Sequence, residues 1–260
     1  MRLEDRDRRV LAETFLSKVV RRDDLIDFGY FSSIPRCNAR LLALKQEGLL
    51  RTREELGGME LRAALYHCTS KGVRIAADVL DISPDEAIEV HRSGIRELAI
   101  KHALRCNDLR SRFISELAGD SEIKLTTWSQ ELLCHHEFQV GDRTTVIKPD
   151  ALAELRGSEG HHHVFVEVDL GNAAIPKIKD KLHRFQTYAD SGAFNEAYET
   201  DRFSVLLVTT DERRLAHLQR LALPPTLILS TWKRLAEHGV VGAVFATPTL
   251  DHQLLSEVLQ

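Results

Sequence analysis

The hydrophobic period changes partway along this chain, and that change limits what it can build. Up to about residue 118 the apolar residues recur mainly at helical spacing, with one interruption of strand character. Beyond that point short β-rich runs alternate with helical segments. Such a pattern predicts a mostly helical head joined to a mixed α/β body rather than one repeated architecture.

The head can be read in some detail. Val10, Leu11 and Phe15, with Val19 just beyond, predict an amphipathic helix over Arg6 to Lys18. Arg22 to Phe28 predicts a short second helix with Leu25, Ile26 and Phe28 inward. In Ser32-Ser33-Ile34-Pro35 a serine is placed to cap a third helix and the proline sits in its first turn. That helix buries Cys37, Leu41 and Leu44, runs to about Glu47 and is stopped by Gly48. Leu49–Arg53 and Leu61–His67 then predict paired strands, with Gly57-Gly58 in the connection, and Thr69-Ser70-Lys71-Gly72 opens a helix carrying Val73, Ile75 and Ala76. Helix, helix, capped helix, hairpin, helix is the order of a winged helix-turn-helix, so residues 1–80 are expected to form a DNA-binding domain.

Charge supports that expectation by its distribution. The chain carries a net −4, yet residues 1–75 hold fifteen Lys and Arg against eleven Asp and Glu, whereas the remainder holds twenty against twenty-eight. A mildly basic head on an acidic body suits a protein that presents one end to duplex DNA. On the third helix Arg36, Asn38, Arg40 and Lys45 are the expected reading residues: Arg and Asn make paired hydrogen bonds to base edges and Lys neutralises phosphate. Arg51, Arg53 and Arg62 on the hairpin would approach the backbone or minor groove. The competing reading is a winged helix that binds only protein, as an interaction adaptor, with solubilising arginines.

Residues 81–118 are expected to connect the two halves. Ser83-Pro84-Asp85-Glu86 starts a helix through Val90, and Leu98, Ile100, Ala103 and Leu104 continue a helical pattern toward Phe113 and Leu117. Its length makes it a candidate for homodimer contacts.

In the body, residues 119–260, strands are expected at Leu132–Val140, Thr144–Leu155, Val164–Asp169, Phe203–Thr209, Thr226–Leu229 and Val240–Phe245. Helices are expected at about Ala174–Asp190 and Asp211–Leu221. With the preceding helix the core order is αβββαβ, a mixed sheet covered by helices. Strand period two places Phe165, Glu167 and Asp169 on one face, opposite Val164, Val166 and Val168. Asp150, after Lys148-Pro149, could join these carboxylates across the sheet, and Glu131 could add an outer acid. Oxygen ligands of this kind suit Mg²⁺ or Mn²⁺. Ile175, Ile178, Leu182, Phe185 and Ala189 form the expected buried face of the following helix. Lys177, Lys181, Arg184 and Tyr188 form a stripe beside it, placed to hold a phosphate or to pair with the acids.

Trp128-x-x-Glu131, Lys148-Pro149-Asp150-Ala151, Phe165-x-Glu167-x-Asp169-x-Gly171 and Lys181-Leu182 with Tyr188 occur in an order that resembles the replication-relaxation family. The likeness runs from about Val10 to Thr209. It implies a winged helix followed by a restriction-endonuclease-like PD-(D/E)xK body, in a protein encoded near plasmids and other mobile elements. Carried over residue by residue, Asp150 and Glu167 match the metal ligands of that nuclease pattern, but Asp169 stands where it has a lysine, leaving Lys181 as the best substitute. The resemblance therefore implies a DNA-binding regulator or replication-accessory protein with a silent nuclease-like body. The alternative is a metal-dependent DNA endonuclease that hydrolyses phosphodiesters with metal-activated water.

Other features carry less. Cys37, Cys68, Cys106 and Cys134 form no CxxC and are expected to be reduced thiols. His161-His162-His163 is expected in a polar loop, and Cys134-His135-His136 in a strand, alternating faces. Gly57-Gly58 lacks the spacing of a phosphate loop, and no Ser-His-Asp triad can be assigned. No run of about 18 apolar residues occurs, and the charged start Met1-Arg2-Leu3-Glu4-Asp5 lacks a signal-peptide core. A cytoplasmic protein with no membrane partner is expected.

Overall fold

The computed structural model describes residues 2–56, 59–94, 96–158, 160–200, 202–221 and 226–259; the side chains at 54–56, 59–62, 93 and 94 are outside that description. The chain divides into two compact units, residues 1–111 and 112–260. Among the described residues no helix is long and apolar enough to cross a membrane.

The first unit holds α1 (Asp5–Leu16), α2 (Arg22–Asp27), α3 (Ile34–Gln46), β1 (Leu50–Leu56), β2 (Met59–Cys68), α4 (Ser70–Leu80), α5 (Pro84–Gly94) and the start of α6 (Glu97–Leu117). Val10, Leu11, Leu25, Cys37, Leu41, Leu44, Val73 and Ala76 are all sealed from solvent, as their helical spacing predicts. Ser33 sits at the α3 N-cap, but its side chain makes no capping bond; Pro35 in the first turn sets the helix start. Gly48, at φ +68°, ends it. Strands β1 and β2 pair antiparallel, with Leu50 opposite Cys68 and Leu56 opposite Met59, and Gly57-Gly58 lie outside the described residues.

Two details of this unit escape sequence patterning. Val20 and Tyr66 exchange backbone hydrogen bonds at 2.9 and 2.8 Å, adding a one-residue third rung beside the hairpin. Gly72 lets α4 start against the backbone: a Cβ there would lie 2.3 Å from the Leu49 carbonyl oxygen. The region expected to connect the two halves also contributes polar anchors within this unit. Arg110 on α6 donates to Glu13 at 2.6 Å with its guanidinium 3.9 Å above the Phe28 ring. Asn107 donates to the Val19 carbonyl at 2.9 Å, and Arg21 reaches Asp108 at 2.6 Å.

In the second unit β3 (Lys124–Gln130), β6 (Ala151–Gly157), β7 (Gly160–Val168), β8 (Phe203–Thr209) and β9 (Leu227–Thr231) form one sheet in that spatial order. The β3/β6 and β6/β7 pairs are antiparallel; β7/β8 and β8/β9 are parallel. Helix α7 (Ile175–Asp190) and the short α8 (Ala193–Tyr198) connect β7 to β8, and α9 (Glu212–Gln219) connects β8 to β9; α10 (Trp232–His238) and α11 (Leu255–Val258) follow. A separate hairpin pairs β4 (His136–Val140) with β5 (Arg143–Ile147). Every residue of β8 is buried, Ser204 and Thr209 included, which explains its strongly apolar character in a parallel setting.

The order α6, β3, β6, β7, α7, β8 keeps the expected αβββαβ succession, but the strands differ from those expected. Leu132–Val140 is not one strand: Glu131, at φ +51°, starts a 3₁₀ turn over Glu131–Cys134 before β4 begins. The expected strand Thr144–Leu155 breaks into β5 and β6 because Pro149 has no N–H for a ladder. The first sheet strand is instead β3, whose mainly polar side chains hide it from hydrophobic patterning. His161-His162-His163 lies inside β7, not in a loop, since pairing of Gly157 with Gly160 carries the β6/β7 ladder to that end. No strand forms over Val240–Phe245: Phe245 makes an isolated bridge with Gln253, and the next residue, Ala246, one with Leu229.

Candidate functional site

Pro149 does more than break a strand. The residue after it, Asp150, enters the sheet with its N–H on the Val166 carbonyl at 3.0 Å, and its carboxylate accepts the Val168 N–H at 2.7 Å. Ala151 pairs with Val166, so the antiparallel register sets Asp150 beside Glu167. Lys181, on α7, reaches in over both: its ammonium ion-pairs with Glu167 and lies 3.9 Å from Asp150. Backbone register thus brings together Asp150, Glu167 and Lys181, three of the residues singled out by the sequence pattern.

The electrostatics of this trio are unequal. Glu167 is only 4% exposed, while the Lys181 side chain is 39% exposed. Glu167 Oε2 faces the lysine, but Oε1 is buried without a hydrogen-bond partner among the described residues. Burial first, then the neighbouring Asp150 charge, pushes the Glu167 carboxyl up to about 8, against the opposing pull of Lys181. The ionised form is therefore disfavoured there, and further positive charge would favour it. Asp150 and Glu167 together offer the oxygen donors that a hard divalent cation takes, and Oε1 is the orphaned donor such an ion would satisfy.

Glu131 stands at the head of the 3₁₀ turn that ends in Cys134. The Cys134 thiol donates to the Glu131 carbonyl at 3.2 Å, and burial with the nearby charges of Glu131, Asp150 and Glu167 pushes its pKa up. Cys134, expected as a reduced thiol on a strand, instead ends this 3₁₀ turn beside the acidic cluster, with Sγ also 3.6 Å from the Pro149 carbonyl, a proximity that its sequence neighbours do not signal.

Asp169 behaves differently from its expected partners. It accepts from the Gly171 N–H at 3.0 Å, from the Thr209 hydroxyl at 2.7 Å, and from two nitrogens of Arg214. Arg214 also donates to the Ala173 carbonyl at 2.6 Å, so this pair ties the end of β7 to α9. Sequence reading did not single out Arg214, 45 residues from Asp169 along the chain. The expected stripe on α7 is likewise divided. Lys177 and Arg184 are exposed, whereas Tyr188 is 1% exposed and packs with Ile178, Leu182 and Phe185; Ala189, expected inward, is exposed.

In the first unit Arg36, Asn38 and Lys45 lie exposed on α3, and Lys45 donates to Thr52 on β1 at 2.9 Å. Arg51 is exposed and Arg53 half-buried on β1; the Arg62 side chain lies outside the described residues. Arg40 does not share the outward face. Its Nε and Nη2 both donate to the fully buried Asp7, and Nη2 lies 3.4 Å from the Arg2 carbonyl. Despite its burial, Asp7 is held below the usual carboxylate range, chiefly by that paired contact.

A model of the replication-relaxation family matches residues 26–202, more than half of the chain, and spans α3, the hairpin and the Asp150–Glu167–Lys181 cluster. No curated protein and no solved structure matches the chain. The chain belongs to the replication-relaxation family.

Proposed function

We propose that this protein binds duplex DNA through a winged helix-turn-helix in its first unit and acts as a replication-accessory or regulatory protein of a plasmid or other mobile element. The observation that carries this reading is α3: a capless but proline-started helix with no acidic residue, exposing Arg36, Asn38 and Lys45, followed at once by a hairpin bearing Arg51 and Arg53. The Val20–Tyr66 rung supports it further, because a winged helix commonly has a short third strand beside the wing. Arg36→Glu with Lys45→Glu tests it in a gel-shift assay on duplex DNA. Loss of the retarded band supports the reading; undiminished binding overturns it.

A second reading, a metal-dependent DNA endonuclease with a PD-(D/E)xK-like body, is favoured by one specific observation. Lys181 touches Glu167 and approaches Asp150, where it would supply the lysine that position 169 lacks. In this reading Asp150 and Glu167 would hold Mg²⁺ or Mn²⁺, which when bound provides an activated water and a Lewis acid. Lys181 orients the attacked phosphate and balances its developing charge. Asp169 belongs to the scaffold through Arg214. Incubation with supercoiled plasmid and Mn²⁺ separates the two readings. Nicking by the wild type that is lost in Asp150→Asn supports the endonuclease; equal retardation of the plasmid by both proteins without cleavage leaves a binding protein with a silent body.

A further inference from the structure

The outermost stripe of α3 is Pro35, Ala39, Leu42 and Gln46, spaced i, i+4, i+7 and i+11, and all four are exposed. Ile34, at the helix start, is 49% exposed and Leu42 is 55% exposed. Asn38 and Lys45 flank this stripe on one side and Arg36 on the other. A solitary exposed leucine is ordinary. An apolar stripe running between cationic and amide side chains, on a helix lacking any carboxylate, is a narrower arrangement. Subtraction of Arg40, which is closed onto Asp7, leaves the outward face still less polar than the sequence implied.

We propose that this face reads the 5-methyl groups of thymine in the major groove, with Leu42 as the specificity-determining residue. The inference rests on the DNA-binding reading given above. Its chemistry is complementary on both edges of a base pair. Asn38 presents the donor and acceptor that match adenine N7 and N6, and Leu42, one turn further on, presents a methyl pair to thymine. Arg36 and Lys45 supply the countercharge to phosphate on either side, and Arg51 and Lys71 add exposed cations on β1 and α4. A protein partner fits less well on the Lys45 flank, since lysine is depleted at the core of protein interfaces. The predicted sites therefore contain A·T pairs read through their methyl groups.

The test uses the full-length protein and fluorescence anisotropy on three duplexes: alternating d(A-T), the same duplex with deoxyuridine in place of every thymidine, and alternating d(G-C). Removing the methyls should weaken binding by roughly three- to fourfold for each methyl buried, and d(G-C) should bind no better than the deoxyuridine duplex. Leu42→Ala, an exposed truncation with an unchanged thermal midpoint, should bind the thymidine and deoxyuridine duplexes equally. A thymidine preference that persists undiminished in Leu42→Ala comes from the DNA itself and overturns the proposal. Equal wild-type binding to both duplexes overturns it too, while leaving the DNA-binding reading intact. Failure to bind any duplex overturns both; a second-copy interface on α3 would then show as self-association lost in Leu42→Ala.

Discussion

Each unit buries a carboxylate against a cation, and the two pairs are built to opposite specifications. In the first, Asp7 receives two nitrogens of Arg40 along with the Glu4 N–H at 2.7 Å, and its pKa falls. In the second, Glu167 meets one ammonium, faces the like charge of Asp150, retains an orphaned Oε1 and has its pKa pushed up to about 8. The planar guanidinium fork satisfies a carboxylate completely, whereas a single ammonium contact cannot do so beside a second acid. Asp169 with Arg214 repeats the first design inside the second unit. A carboxylate closed on both oxygens has no room for a further charge, whereas Glu167, with Oε1 unpaired among the described residues, does.

The largest effect should come from breaking the closed pair. Arg40→Ala leaves a buried, unpaired carboxylate and should cost about 3 kcal/mol, near the lower end for such losses, read as a lowered midpoint in urea melts. If the variant is as stable as the wild type, the Asp7–Arg40 pair is not structural. Arg214→Ala should act in the same direction on the second unit.

Cation binding should come next. Saturation with Mn²⁺ should raise the thermal midpoint, by the equivalent of about 2.7 kcal/mol at a hundredfold excess over Kd, and Asp150→Asn should abolish the rise. An identical shift in both proteins would place the ion elsewhere.

The pH dependences have opposite signs. Glu167 has a raised folded pKa, so its contribution is fully present below the unfolded value and is lost as pH climbs from about 4.5 to about 8. Glu167→Gln should flatten that slope and make the protein no less stable at the alkaline end, as urea melts across this range would reveal. Asp7 has a depressed folded pKa, so its contribution holds above the ordinary carboxylate range and is lost as pH falls through the lower folded value. The smallest effect on stability belongs to Arg36→Glu and Lys45→Glu, both exposed, which should shift the midpoint by no more than about 0.5 kcal/mol while abolishing DNA retardation.

Much of this arrangement was legible because local rules governed it. The spacing of Cys37, Leu41 and Leu44 sets α3, and the apolar run Val205–Val208 sets a strand buried on both faces. Asp150 and Glu167 were legible as neighbours because strand register sets them side by side, and Lys181 meets them from the helix that follows β7. What escaped depended on distant partners. Nothing near Arg40 reveals that Asp7, 33 residues earlier, removes it from the outward face, and nothing near Asp169 reveals Arg214. Strand β3 escaped because its stability comes from the ladder to β6, not from an apolar stripe of its own.

The most direct measurement is the titration of the Glu167 carboxyl by ¹³C NMR, with and without Mg²⁺. The midpoint should lie near 8 in the free protein and fall clearly when the ion is added, with no fall in Asp150→Asn. A midpoint in the ordinary carboxylate range, or one that Mg²⁺ leaves unmoved, would contradict the claim that this pair is open to a further charge.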